Sequence, residues 1–177
     1  MDPQFNIAPL IQECRTLQEN ALYTATSHFV SSTIAWTAHL ILGAFPIVLG
    51  GIGSWPLLTD PNSASSNAAF LAGAFTLTAG IVGSILSFWN LAKVRLDHFT
   101  AAVKYKTLEN EARRAFQIHA HDEPYDDFKK RVMDIARRYD ELGESSPQCS
   151  DFAFWCARKR IGRGLYKTQV DAKPNGV

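Results

Sequence analysis

The sequence predicts an all-α membrane protein, a two-transmembrane helical hairpin extended into a cytosolic helical bundle. Three observations carry that prediction. Residues 20 to 59 and 61 to 92 contain no Asp, Glu, Lys or Arg, inside a chain of 177 residues whose average composition (46% apolar, formal charge +1) is that of an ordinary soluble domain. Each uncharged block exceeds the roughly 20 residues that a helix rising about 1.5 Å per residue needs to cross a hydrocarbon core of about 30 Å. Charge is also unevenly placed: the first 92 residues sum to −3 and residues 93 to 177 to +4, with Arg15 the only basic residue before Lys93.

The N-terminal segment, 1–31, reads as a cytosolic amphipathic helix, because Leu10, Cys14, Leu17, Ala21, Ala25 and His28 recur at steps of three or four. It runs directly into the first span, 32–58. Trp36 and Trp55 bracket that span about 28 Å apart along a helix, the spacing of interfacial anchors, and Trp89 marks the inner end of the second span. These positions argue against the alternative, two buried helices of a soluble bundle. A cleaved signal peptide also fits poorly, since the apolar block starts some thirty residues in, without a basic leader.

Within the first span, Gly43, Pro46, Gly50, Gly51 and Gly53 loosen the helix, and Pro46 removes one backbone hydrogen bond. Pro46, Gly50 and Gly51 are therefore candidates for a hinge that rearranges on activation, with a static kink that improves packing as the alternative. His39, the one potentially ionisable group inside the spans, lies about one turn from the surface and suits interfacial hydrogen bonding.

The connection 59–67 (TDPNSASSN) holds no Lys or Arg, whereas Lys93, Arg95, Lys104 and Lys106 follow the second span, 68–92. By the positive-inside rule both termini are cytosolic, at the inner (cytoplasmic) membrane, with a short external turn. Cys14, Cys149 and Cys156 then face a reducing compartment and read as free thiols.

The second span has one small-residue face. Ala72, Thr76, Gly80 and Ser84 are four apart, and Ala79, Gly83 and Ser87 form a second series beside them, opposite the bulky Leu71, Phe75, Ile85, Leu86 and Phe88. Such faces allow close backbone approach in lipid. This one is either an oligomer or pore face, or the surface that receives the first span of the same chain.

The region 93–167 reads as cytosolic helix. The helical period continues through Leu96, Phe99, Val103, Tyr105, Leu108, Ala112 and Phe116 and stops near His121. Asp122, Glu123 and Pro124 open a new helix, whose apolar positions Tyr125, Phe128, Val132, Ile135, Tyr139 and Leu142 form a coiled-coil-type seam. Gly143 is expected to end it. A last helix starts near Ser150 or Asp151, buries Phe154, Ala157, Ile161 and Leu165, and ends at Gly162, Gly164 and Pro174, leaving 168–177 as a disordered tail.

No catalytic constellation, cofactor motif or metal-ligand spacing occurs, and His119 and His121, two apart, point to different sides of a helix. Arg158, Lys159, Arg160 and Arg163 form a basic patch able to meet nucleic acid, a nucleotide or anionic headgroups. The alternative is a solvated face at a helix C-terminus, where cations suit the dipole, and direct nucleic-acid binding is not expected.

Several segments resemble the SLATT family, the SMODS- and SLOG-associating two-transmembrane effector domain. They are Leu22 to Phe29 (LYTATSHF), which contains Tyr23, His28 and Phe29, and Ala102 to Arg113 (AVKYKTLENEAR), which contains Tyr105, Leu108, Asn110 and Arg113. Ala136 to Leu142 (ARRYDEL), with Tyr139 and Leu142, then Pro147, and Ala157 to Lys159 with Ile161 and Gly164, resemble the family's closing elements. The resemblance covers roughly residues 17 to 167, and its specificity lies in the order and spacing of these pieces around two spans. Gly143 and Arg160 depart from the family pattern, which has a polar residue and a small residue there.

The resemblance implies a prokaryotic antiviral defence system of the abortive-infection type. Its two-span protein is an effector that perforates or depolarises the cell's own membrane. A separate sensor, or a protein producing a nucleotide signal, is the implied trigger. The expected state is a homo-oligomer in the lipid bilayer; the alternative is a non-conducting membrane anchor that assembles a partner complex through its cytosolic helices. An enzyme ranks third, for lack of a polar catalytic set in the spans.

Overall fold

The computed structural model describes residues 6–59, 66–88 and 90–164, and among them all regular structure is helical. The elements are α1 (Ala8–Thr59), α2 (Ser66–Phe88), α3 (Leu91–Arg114), a π-helical turn (Ala115–His119), α4 (Ala120–Asp122), α5 (Tyr125–Ser145) and α6 (Asp151–Gly162). Most of the expected external turn, together with Ser65, Trp89, Leu165, Pro174 and the tail 168–177, lies outside the described residues. The chain divides into two compact units, one made of Met1–Ser32 with Leu96–Val177, the other of Thr33–Arg95.

The first unit is a helical bundle. Its core is Cys14 and Leu17 from α1, Leu108 and Ala112 from α3, Ala115 from the π-helical turn, Ala120 from α4, and Phe128, Val132 and Ile135 from α5. The α1 period runs on through buried Ala21, Ala25 and His28, as the sequence spacing predicts. Tyr139 and Leu142 continue the α5 seam as half-buried positions. Charged side chains tie α5 to α3 at the rim, where Arg138 pairs with Glu111 and with Asp134.

Three local expectations are corrected. The buried stripe of α3 is His98, Ala101, Ala102, Tyr105, Leu108, Glu109 and Ala112, so Leu96, Phe99 and Val103 are exposed. The apolar positions at the start of α3 lie on a second face of the helix, and Phe99 meets Phe29 edge-on with ring centroids 5.9 Å apart. Gly143 does not end α5, which continues to Ser145 in right-handed geometry; the Ser145 hydroxyl donates to the Glu141 carbonyl at 3.0 Å and the Ser146 N–H to the Leu142 carbonyl, closing the helix there. In α6 the buried positions are Ala153 and Ala157, while Phe154 is exposed, because two small side chains one turn apart let that face seat closely. α2 is described to Phe88 and α3 from Leu91, and just ahead of α3 the Asn90 side chain accepts from the Lys93 N–H at 3.0 Å.

The π-helical turn was not legible in the sequence. Buried positions step 105, 108, 112 and 115 and then jump to 120, so the widened turn absorbs one residue and keeps Ala120 on the core. Glu123, just after α4, is clamped by Arg131 through both guanidinium contacts and by His119 at 2.9 Å. The Arg131 hydrogen bonds hold its carboxyl below the usual range. The expected break between His121 and Pro124 is observed, with Pro124 just before the first residue of α5. Ser150 caps α6 by accepting from the Ala153 N–H, and Gly164, at φ 77°, supplies the left-handed residue that closes the chain past α6.

The second unit contains the apolar part of α1 and all of α2. Both helices are long and apolar enough to cross a membrane, and their most apolar windows are only 6% and 0% buried, unlike the core helices of a soluble protein. α2 alone, 23 residues, is about 34 Å long. Three of its hydroxyls are satisfied within the helix: Thr76, Thr78 and Ser84 each donate to the carbonyl four residues back at 2.8 Å. Such polar groups carry little penalty in an apolar medium.

Candidate functional site

In the second unit, half-buried positions of α2 step 72, 75, 79, 82 and 86, and those of α1 include 38, 42, 46 and 49, leading to buried Gly53. The two stripes meet at Gly53 and Phe75. A Cβ on Gly53 would stand 3.0 Å from the Phe75 Cβ, so only glycine permits that approach without displacement. The small-residue series therefore divides. Ala72 and Ala79 lie on the half-buried stripe with Phe75 and Leu86, whereas Thr76, Gly80, Gly83 and Ser84 are exposed. A Cβ on Gly80 or Gly83 would meet nothing within 4 Å among the described residues. The Ser87 side chain lies outside the described residues.

The hinge candidates sit in unbroken helix, since α1 runs through Pro46 to Thr59. Pro46 is half-buried, Gly50 and Gly51 are exposed, and among the described residues a Cβ on either glycine would meet no neighbour within 4 Å. Trp36 stacks on His39 with ring centroids 6.2 Å apart, and the Arg95 guanidinium lies 4.0 Å over its ring.

The first unit brings together residues the sequence holds far apart. His28 on α1 and His98 on α3 are buried side by side, with Nδ1 atoms 3.0 Å apart. Cys149, half-buried in the connection between α5 and α6, completes a group whose three ligand-type atoms lie within 4.8 Å of one another. Tyr105 stacks on the His28 ring at 5.5 Å and meets Tyr139 edge-on at 5.6 Å; the Tyr139 hydroxyl lies 3.5 Å from the Thr24 hydroxyl. A cavity of about 270 Å³ opens beside the group, lined among others by His28, Tyr105, Gly143, Pro147 and Cys149.

Burial sets the protonation states there. Desolvation, then the neighbouring His98, pulls His28 down to about 4, and desolvation lowers His98 against the opposing pull of Asp97. Both imidazoles are neutral at pH 7, so one Nδ1 carries the shared hydrogen and the other accepts it. Burial raises the Cys149 thiol, with a hydrogen bond from Ser31 acting the other way, and burial also raises Tyr105.

The family-like positions are spread over this unit. His28, Tyr105, Tyr139 and Pro147 belong to the group just described, Leu108 and Leu142 to the core, and Phe29 to the Phe99 contact. Asn110 accepts from Arg113 at 3.3 Å, Tyr23 and Ile161 are half-buried, and Gly164 closes α6. His98 and Cys149 were missed as partners of His28. No local spacing signals a group whose members are 70 and 51 residues apart along the chain.

Two charged surfaces complete the picture. A groove of about 740 Å³ along the π-helical turn and α5 is lined by Arg114, Lys130, Arg131 and Arg138 but equally by Glu111, Glu123, Asp127 and Asp134, so its charges cancel. Arg158, Lys159, Arg160 and Arg163 are all exposed on α6 or just after it. Lys159 lies over the exposed Trp155 ring at 5.0 Å, and Trp155 stacks on Phe152 at 5.9 Å.

Comparison with known proteins gives no match to the chain, whether among protein-family models, curated sequences or solved structures.

Proposed function

We propose that the chain is a non-enzymatic, homo-oligomeric two-span membrane effector of a prokaryotic defence system. On this reading, α2 and the apolar part of α1 form a transmembrane hairpin in the inner membrane with both termini cytosolic. A separate sensor or a nucleotide signal releases it to open an ion pathway or depolarise the membrane. The SLATT-like segments support the defence setting.

One observation carries the assembly. Among the described residues nothing covers the face of α2 that bears Thr76, Gly80, Gly83 and Ser84, while the half-buried stripe through Ala72, Phe75 and Ala79 meets α1 at Gly53. In lipid, small residues that admit a second backbone are what hold spans together, because apolar bulk gives no advantage over lipid tails. A neighbouring copy of α2 fits that uncovered face. The positive charge following Lys93 and its absence from 59–67 support the orientation.

Conductance of the purified protein reconstituted into liposomes tests the reading. Discrete ion currents, or dissipation of an imposed potassium gradient, are expected on activation or at high protein density. An inserted, oligomeric protein that never conducts would leave a membrane anchor for a partner complex.

A further inference from the structure

We propose that His28, His98 and Cys149 form a zinc site, with the two imidazole Nδ1 atoms and the Cys149 thiolate as protein ligands and a fourth position open to water. The inference stands on the first unit alone and does not depend on the membrane reading.

The donor set suits the metal. Imidazole nitrogen and thiolate sulfur are the usual zinc ligands, at about 2.0–2.1 Å and 2.3 Å, which in a tetrahedron puts two nitrogens about 3.3 Å apart and a nitrogen and a sulfur about 3.6 Å apart. The two Nδ1 atoms stand at 3.0 Å, and one ring nitrogen of each histidine and the Cys149 sulfur all fall within 4.8 Å of one another. A sulfur movement of about 1 Å therefore closes the site. The residue that must move lies between α5 and α6, outside both helices, whereas the two histidines are fixed on long ones. A rigid pair with one adjustable ligand needs no rearrangement of the bundle.

The surroundings orient the ligands. Tyr105 stacks on His28 and fixes its ring plane, and Ser31 hydrogen-bonds the Cys149 sulfur, the kind of outer contact that steadies a thiolate ligand. With Nδ1 on the metal, each imidazole keeps its hydrogen on Nε2. Binding thus shifts one hydrogen from Nδ1 to Nε2 and releases one proton, from the Cys149 thiol. A hydrogen-bonded histidine pair alone would account for the 3.0 Å contact, but not for a thiol converging on the same two rings.

The site joins α1, α3 and the α5–α6 connection, three segments remote in sequence. His28 and His98 lie four and two residues from the ends of the first unit's two stretches, Ser32 and Leu96. A bound zinc fixes the distance between α1 and α3 at that end of the bundle.

The test uses the full chain purified in detergent. Elemental analysis after growth in zinc-supplemented medium is expected to give about one zinc per chain. The metal-stripped protein titrated with Co²⁺ should develop tetrahedral d–d bands and a thiolate-to-cobalt charge-transfer band. Cys149→Ser should abolish the charge-transfer band, His98→Gln should weaken Co²⁺ binding by more than about 100-fold, and Cys156→Ser should change neither. The wild-type protein is its own folding control. If, while folded, it binds Co²⁺ without a thiolate band, or binds none, the site does not exist. A band that survives Cys149→Ser, or vanishes only in Cys156→Ser, equally overturns the assignment.

Discussion

Replacing Phe128 by alanine tests whether the α5 seam holds the bundle together. Phe128 is fully buried in the core, against residues of α1, α3 and the π-helical turn. A buried Phe removes roughly 150–250 Å² from water, which at about 25 cal/mol per Å² is about 4–6 kcal/mol. Part of that returns because alanine still packs and the cavity partly collapses, so the cost is about 3–5 kcal/mol. A bundle of this size has about 5–15 kcal/mol in all. Each 1.4 kcal/mol is about tenfold, so the open population rises by roughly two to three and a half powers of ten. Amide hydrogen exchange of the full chain in detergent reads this directly, as lost protection across α5 and the facing turns of α1 and α3. Met133 on the same helix is 61% exposed, and Met133→Ala should change stability by no more than about 0.5 kcal/mol. If Phe128→Ala loses no more protection than Met133→Ala, the seam is not the core of the unit. Combined with Ile135→Ala, the variant is expected to be silent rather than toxic on expression, because α1 and α3 lose the packing that fixes their register. Toxicity would instead assign the bundle a restraining role.

Three further outcomes follow from particular residues. Gly80→Leu and Gly83→Leu should each lower the oligomer order in detergent and abolish toxicity while leaving membrane insertion intact; retention of the wild-type oligomer by both removes that face as the interface. In whole cells, a cysteine replacing Ser65 should react with an impermeant thiol reagent and one replacing Ser145, exposed at the end of α5, should not; the reverse pattern inverts the topology. Burial, with the Glu13 charge, pushes the Cys14 thiol up to about 11 from 9.0, so at pH 8 its alkylation should be at least about 100-fold slower in the folded protein than in urea. The raised value also means that the folded state binds more protons than the unfolded one above pH 9; the stabilisation is complete below that and declines as pH rises towards 11. Equal labelling rates in the two states would place Cys14 outside the core.

The sequence alone determined the elements whose signal is periodic or compositional. Two uncharged blocks long enough to cross a membrane, the α1 stripe from Leu10 to His28, the seam from Phe128 to Leu142, the break before Pro124 and the start of α6 at Ser150 are all local patterns. Such patterns arise because one face of a helix must be apolar wherever it packs or meets lipid. The tertiary structure decided what depends on which face meets which neighbour. It turned Leu96, Phe99, Val103 and Phe154 outward, carried α5 past Gly143, widened the turn at Ala115–His119 to keep Ala120 on the core, and divided the small residues of α2 between a half-buried and an open stripe. It alone brought His28, His98 and Cys149 together. Helical period fixes a side chain's angle about its own axis but not the helix it faces, and contacts between residues 51 or more apart are set only when the bundle closes.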